Sequence, residues 1–286
     1  MSNSNDVILS VKDLKKHFQP HQSLLQTLSG KNRKVVKAVD GVTFDIRRGE
    51  IFGLIGESGS GKTTTGKLVM KLIEPTSGTI TFDGKDVTNT NKPETQEYRR
   101  KVQMIFQDPY ASMNPRFKIR DVLQEPLIIH NIEGDQKKHE EMIIKSLTEV
   151  KLNPPVEFMG RYPHMLSGGQ RQRVATARTL ILNPKMLVAD EPVSMIDLST
   201  RAEILHMMKD VQRDLGLSYL YITHDLSTAR YFTDRIAVMY LGRIVEMGPA
   251  NELIDNPLHP YTKALISAVP EPESGKVDLI KRSEEH

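Results

Sequence analysis

Hydrophobic and polar positions change rhythm several times along this chain, and each change predicts an element. Residues 7–11 and 42–46 alternate apolar and polar, the pattern of half-buried strands. Between them, residues 19–34 (QPHQSLLQTLSGKNRK) are polar and read as an exposed insertion. Residues 50–55 (EIFGLI) form a short apolar run that enters a glycine loop. A helical pattern follows through Leu68, Val69, Leu72 and Ile73. It is expected to stop at Glu74-Pro75, because the residue before a proline is kept out of the α region. The stretch TITFDGKDV predicts a hairpin turning at Asp83-Gly84, and residues 102–106 a further strand.

From residue 108 to about 179 the texture differs. Prolines 109, 115, 126, 154, 155 and 163 separate helical stretches such as 139–150, which predicts a mostly helical subdomain inserted into a strand-rich core. Residues 185–189 and 217–223 are apolar and β-rich without alternation, as expected of strands buried on both faces of a parallel sheet. RIAVMY and RIVEMG predict a hairpin around Leu241-Gly242. The end, from ELIDNPLHPYTKALISAVP onward, reads as a helical tail that closes in a frayed polar segment. No internal repeat is visible, and every motif below occurs once.

Composition alters this picture only by exclusion. The chain has 286 residues, 38% hydrophobic and 26% charged, ordinary for a globular protein, and a formal charge of +3 gives no argument for nucleic acid or anionic lipid. It contains no cysteine, so disulfides, thiolate zinc sites and cysteine-held iron–sulfur clusters are excluded. No apolar run approaches the ~20 residues of a membrane span, and the N-terminus lacks a signal-peptide core. The expected location is cytoplasmic, with any membrane contact made through partners.

Candidate chemistry begins where the strand at 50–55 ends. Gly56-Glu57-Ser58-Gly59-Ser60-Gly61-Lys62-Thr63-Thr64 fits G-x-x-x-x-G-K-[ST] between a strand and a helix. The glycines let several backbone N–H groups point at one phosphate, and the helix N-terminus adds its positive end. Lys62 would bridge the β- and γ-phosphates, and the Thr63 hydroxyl would hold Mg²⁺. Downstream, MLVA delivers Asp190 and Glu191 to the C-terminal end of a buried strand, where ligands sit in open α/β sheets. Asp190 would bind Mg²⁺ directly or through water, and Glu191 is placed to polarise an attacking water. These motifs alone leave a kinase, a GTPase and a helicase-like motor open.

The stretch HMLSGGQRQR resembles the LSGGQ signature of ABC-type ATPases. Ser167, Gly168, Gly169 and Gln170 match it. Around it, Phe18 (LKKHF) resembles the aromatic that stacks on adenine. Gln107 (IFQDP) resembles the glutamine that links Mg²⁺ and water to the helical subdomain. Residues 194–197 (SMID) stand where the D-loop stands, with Asp197 retained, and His224 (THD) stands where the switch histidine stands. Met195 and Ile196 depart from the Ala-Leu expected there. The resemblance covers residues 7–270. The stretches NPLHPYTKALISAVPEP, QDPYASMNPR and LIEPTSGTITFDGKDV further resemble ATP-binding subunits of oligopeptide, dipeptide and nickel importers. SGGQRQR and KLIEPTSG resemble their F-type subunit.

The resemblance implies an α/β fold, a RecA-like P-loop NTPase with a parallel-sheet core, an antiparallel β subdomain and an inserted helical subdomain at about 108–179. It implies an ATP-binding domain over 7–252 and a C-terminal extension over 253–286. ATP and Mg²⁺ are the implied cofactors, and Glu191, His224 and Gln107 the implied catalytic set. Thr63, Gln107 and Asp190 surround the metal, and Phe18 together with residues 56 and 58–64 binds the nucleotide. Two ATPase subunits would stack head-to-tail, the signature of one facing the phosphate loop of the other, and one copy of each motif requires a second, D-type subunit. Two permeases and an extracytoplasmic solute-binding protein complete the implied partners, with the chain peripheral on the cytoplasmic face of the membrane. Peptide leads as solute, with nickel or an oligosaccharide next. The alternatives are a soluble ABC ATPase uncoupled from transport and a non-enzymatic regulatory subunit.

Overall fold

The computed structural model describes residues 6–19, 35–109 and 113–268. The insertion predicted over 19–34, apart from Gln19, and the frayed end after residue 268 lie outside the described residues. So do three positions of QDPYASMNPR, residues 110–112.

Six strands form one sheet in the order β10-β9-β3-β8-β7-β6. They are β3 (Ile51–Ile55), β6 (Val102–Ile105), β7 (Met186–Asp190), β8 (Ser218–Thr223), β9 (Arg235–Tyr240) and β10 (Arg243–Pro249). All neighbours pair in parallel except the β9–β10 hairpin. Strands β3, β7 and β8 are buried at every position. Their lack of alternation has a direct cause: successive side chains point to opposite faces, and both faces are covered. Phe52, Leu54, Met186, Val188, Leu220 and Ile222 enter one hydrophobic cluster, while Ile51, Leu187, Ala189, Tyr219 and Tyr221 enter another.

The first cluster is roofed by a four-stranded antiparallel sheet, order β2-β1-β4-β5. Here β1 (Val7–Phe18) and β2 (Val36–Arg47) each run 12 residues, well past their alternating segments. Register shifts around Leu14 and a positive φ of 46° at Asp13 absorb the break in pattern, so pairing continues to Phe18 opposite Val36. The Phe44 and Phe52 rings stack at 5.2 Å and join the two sheets. Strands β4 (Ser77–Phe82) and β5 (Lys85–Asp86) form the predicted hairpin, with Asp83 and Gly84 at φ 51° and 77°. The second hairpin is also as expected, with Leu241 at φ 44° and Gly242 at 83°.

Helix α1 (Lys62–Val69) ends earlier than the apolar spacing predicts. Lys71 takes φ 54°, its N–H bonds to the Leu68 carbonyl, and the Leu72 N–H reaches back to the Lys67 carbonyl. This left-handed cap closes the helix before Pro75 has any influence. Helix α2 (Lys92–Lys101) opens on a capping box between Asn91 and Glu94.

The second cluster is covered by α3 (Ile119–Ile129), α4 (Gln136–Glu149), α5 (Pro155–Met159), α6 (Gly168–Leu180) and α7 (Leu198–Leu215). Pro126 does not separate helices as the sequence reading expects. It lies inside α3, where it is buried with Val122, Leu123 and Leu127, and this packing offsets the lost backbone bond. After β8 come α8 (Leu226–Phe232) and, beyond β10, α9 (Ala250–Asp255) and α10 (Pro260–Ser267). The predicted tail helix is α10; it packs with Tyr261, Leu265 and Ile266 against a third cluster that includes Ile55, Val238 and Leu253. Among the described residues no helix is long and apolar enough to cross a membrane.

Candidate functional site: four segments at one sheet edge

The candidate residues hang from the C-terminal ends of four neighbouring parallel strands. The glycine loop follows β3, His224 follows β8, Asp190 and Glu191 end β7, and Gln107 follows β6. Sheet order, not sequence order, brings them together.

Residues 56–61 turn on three glycines with positive φ: 154° at Gly56, 81° at Gly59 and 108° at Gly61. Two of these are also sterically locked. A Cβ on Gly56 would stand 2.2 Å from the Met239 carbonyl oxygen, and one on Gly61 2.2 Å from that of Ala38. The loop is held from outside by the Gly242 N–H, which donates to the Ser60 carbonyl at 2.9 Å. Gly61→Ala should therefore lower Tm by about 2–12 °C through roughly 1–3 kcal/mol of backbone strain and the clash at Ala38. A thermal melt of the variant checks this, and an unchanged Tm would mean the loop has room to relax.

Lys62 is buried, with its ammonium donating to the Gly56 and Glu57 carbonyls at 2.6 and 2.8 Å. Burial pushes its pKa down, while the charges of Glu191, Asp190 and Glu57 oppose that shift. The Thr63 hydroxyl donates to Asp190 Oδ1 at 3.3 Å. Asp190 is buried too, and burial pushes its carboxyl pKa up against the Thr63 bond. Thr63 and Asp190 thus present two hard oxygen donors facing one another.

Beside them Glu191 joins the remaining pair. Gln107 Nε2 donates to Glu191 Oε2 at 3.0 Å, and His224 Nδ1 lies 2.8 Å from Oε1. An ionised carboxylate only accepts, so Nδ1 carries the proton in this contact. Glu191 adopts φ 48°, held there by its N–H bond to the Ile222 carbonyl at 2.8 Å. A non-glycine residue in the left-handed region is a mark of a constrained site.

Three predicted groups make their contacts elsewhere: the signature, the D-loop and Phe18. The signature residues open α6, where the Ser167 hydroxyl oxygen accepts from the Gln170 N–H at 3.2 Å and Gln170 Oε1 accepts from the Ser167 N–H at 3.1 Å. This capping box uses the serine's lone pair and leaves its O–H proton able to donate. Space around Gly168 is open, whereas a Cβ on Gly169 would meet Thr200 Cγ2 at 2.4 Å. Asp197 caps α7 by accepting from the Thr200 N–H at 3.0 Å and the Ser199 hydroxyl at 2.7 Å, which holds its pKa at about 2. The D-loop departure splits in two: Ile196 is buried among the helices, while Met195 is 65% exposed. Phe18 is 42% exposed at the end of β1, with Lys16 Nζ 5.3 Å from its ring centroid.

One residue beside the loop escaped the sequence reading. The Tyr261 hydroxyl accepts from the Glu57 N–H at 3.3 Å. Its stretch, HPYTKALISAVP, stood out only as a packing helix and a subfamily marker, and nothing local in it points 204 residues back.

Comparison with known proteins follows the same lines. The ABC transporter family model matches residues 39–194, more than half of the 286-residue chain. The model for the oligopeptide/dipeptide transporter C-terminal region matches residues 245–286. The chain is 45% identical over 268 residues to the oligopeptide transport ATP-binding protein AppF of Bacillus subtilis, covering 93% of this chain and 79% of that one. It is 46% identical over 267 residues to OppF of the same organism, covering 93% and 83%. Both relatives carry the F designation that the resemblance implied. Among solved structures, the dimeric post-hydrolysis ATP-binding cassette MJ0796 bound to ADP and Pi superposes with TM-score 0.72 at 26% identity, covering 85% of this chain and 99% of that one. CbiO1 from Clostridium perfringens, part of the cbiONQ complex, gives TM-score 0.75 at 25% identity, covering 88% and 92%. Fold, site segments and relatives agree: the chain belongs to the ABC transporter family, among its ATP-binding proteins.

Proposed function

We propose that this chain is the F-type ATP-hydrolysing subunit of a peptide importer, completing its active sites with a second, D-type ATPase subunit. The observation that carries the proposal is the Gln107–Glu191–His224 cluster standing beside the Thr63–Asp190 pair at the mouth of the glycine loop. Residues 56 and 58–64 cradle the phosphates, Lys62 leaving its loop carbonyls for phosphate oxygens, and Phe18 stacks on adenine. Glu191 takes a proton from the attacking water, Gln107 orients that water, and His224, beside Glu191, faces the γ-phosphate.

One hydroxyl and one carboxylate are few protein ligands, which suits Mg²⁺, an ion that keeps waters and shares phosphate oxygens. Thr63 and Asp190, with the Gln107 side chain, would hold it, and it would supply charge neutralisation for the nucleotide's phosphates. The signature of this chain completes the partner's site. Its Ser167 O–H and the N–H groups of Gly168 and Gly169 at the head of α6 suit an anion, while the Gln170 N–H is taken by the Ser167 cap. Two permeases, an extracytoplasmic binding protein and a position on the cytoplasmic face of the membrane complete the assembly. Residues 7–252 form the ATP-binding domain with a helical subdomain at about 108–179, and 253–286 the extension.

Peptide follows from the names of the relatives and from the matched C-terminal region. Cells lacking this chain should take up labelled oligopeptides only at background rate. A wild-type copy should restore uptake, and a Glu191→Gln copy should not. Full peptide uptake by the deletion strain, with loss confined to nickel or an oligosaccharide, would reassign the solute. Loss of none of the three would favour an ATPase uncoupled from transport.

A further inference from the structure

We propose that Tyr261 of the C-terminal helix is a positioning residue for the phosphate loop, setting nucleotide affinity through the backbone of Glu57. The inference rests on the nucleotide reading above and adds a residue to it from outside the ATPase motifs. Glu57 is held at both ends: its N–H donates to the Tyr261 hydroxyl at 3.3 Å, and its carbonyl accepts from Lys62 Nζ at 2.8 Å. The Glu57 N–H shares its peptide unit with the Gly56 carbonyl, which accepts from Lys62 Nζ at 2.6 Å, so the tyrosine holds a peptide against which the phosphate-binding lysine rests.

Tyr261 is placed independently of that bond. Its ring packs on Tyr240 with centroids 4.2 Å apart, and Leu265 and Ile266 of the same helix pack on the cluster containing Ile55, the last residue of β3. The helix start is fixed as well. His259 Nδ1 accepts from the Tyr261 N–H at 3.1 Å, and Glu246 of β10 accepts from the Leu258 and His259 N–H groups at 2.7 and 3.1 Å. Tyr240 ends β9, and two residues on, Gly242 straps the other side of the same loop at Ser60. The loop thus sits between two anchors joined by a pair of rings. A preorganised loop binds phosphate without first being ordered, so loosening one anchor weakens binding more than chemistry.

Tyr261→Phe removes the hydroxyl and keeps the ring. In full-length protein titrated with ATP and with ADP in Mg²⁺, Kd for both should rise about fivefold, the effect of one lost neutral hydrogen bond. Adenosine affinity should not move, and Tm should fall by no more than about 2–4 °C, the share of one hydrogen bond in a chain of this size. In the assembled ATPase, KM for ATP should rise with kcat retained. Tyr261→Ala, which also strips the ring from Tyr240, should weaken ATP binding further. Unchanged ATP affinity in Tyr261→Phe overturns the proposal. So does a loss shared equally by adenosine, because that marks a general packing role. An unaltered chain that binds no ATP fails differently: it overturns the nucleotide reading itself.

Discussion

Glu191→Gln should slow ATP hydrolysis by about 10²–10⁴-fold, the usual contribution of a positioned general base, while ATP stays bound. The two residues differ by one oxygen exchanged for an amide nitrogen, so the substitution tests protonation chemistry rather than shape. The glutamine carbonyl can still accept from Gln107 or from His224 Nδ1–H, and the backbone bond from residue 191 to the Ile222 carbonyl is untouched. The loss should therefore appear in single-turnover hydrolysis and be absent from ATP affinity. Because hydrolysis is what removes the contacts made only in the closed pair, the variant should accumulate as an ATP-bound dimer with its partner subunit. Gel filtration with ATP and Mg²⁺ reads that directly. Hydrolysis at the unaltered rate would take Glu191 out of the base role.

Lys62→Ala should abolish measurable ATP binding, by a loss of about 10²–10⁴-fold if two charge-assisted hydrogen bonds of roughly 1.5–3 kcal/mol are forfeited. Lys62 is the cation that Asp190, Glu191 and Glu57 all act upon. Without it three carboxylates would confront the phosphates of an incoming nucleotide. Lys62→Arg keeps the charge and separates electrostatics from fit. The bulkier guanidinium has to find room in a buried slot 2.6–2.8 Å from two carbonyls, so it should restore only part of the affinity. Equilibrium titration of all three proteins, with circular dichroism to show that each is folded, decides the matter. ATP affinity unchanged in Lys62→Ala would remove the phosphate assignment.

What the sequence makes legible here is what local physics dictates. A glycine loop between an apolar strand and a helix, two carboxylates at a buried strand end, and Asp-Gly and Leu-Gly turns each impose their geometry within a few residues. Contacts that depend on strand order are not written locally. Gln107 and Glu191 meet across 84 positions because β6 and β7 are neighbours, and no spacing rule announces that. Helix limits behave in the same way. The end of α1 is set by Lys71 entering the left-handed region, and Pro126 survives inside α3 because the core covers it. Resemblance to a family filled the gap for Gln107 and His224. For Tyr261 the motif was visible but its target was not.

The sheet edge also acts as a ruler. Neighbouring strands lie about 4.8 Å apart, so four consecutive strand ends lay out the stations of the glycine loop, His224, the Asp190-Glu191 pair and Gln107 at a spacing fixed by hydrogen-bond length. Side-chain substitutions change what stands at a station and leave the stations where they are. A chain with this edge can exchange one chemistry-bearing residue at a time, and each trial is made against coordinates that do not drift.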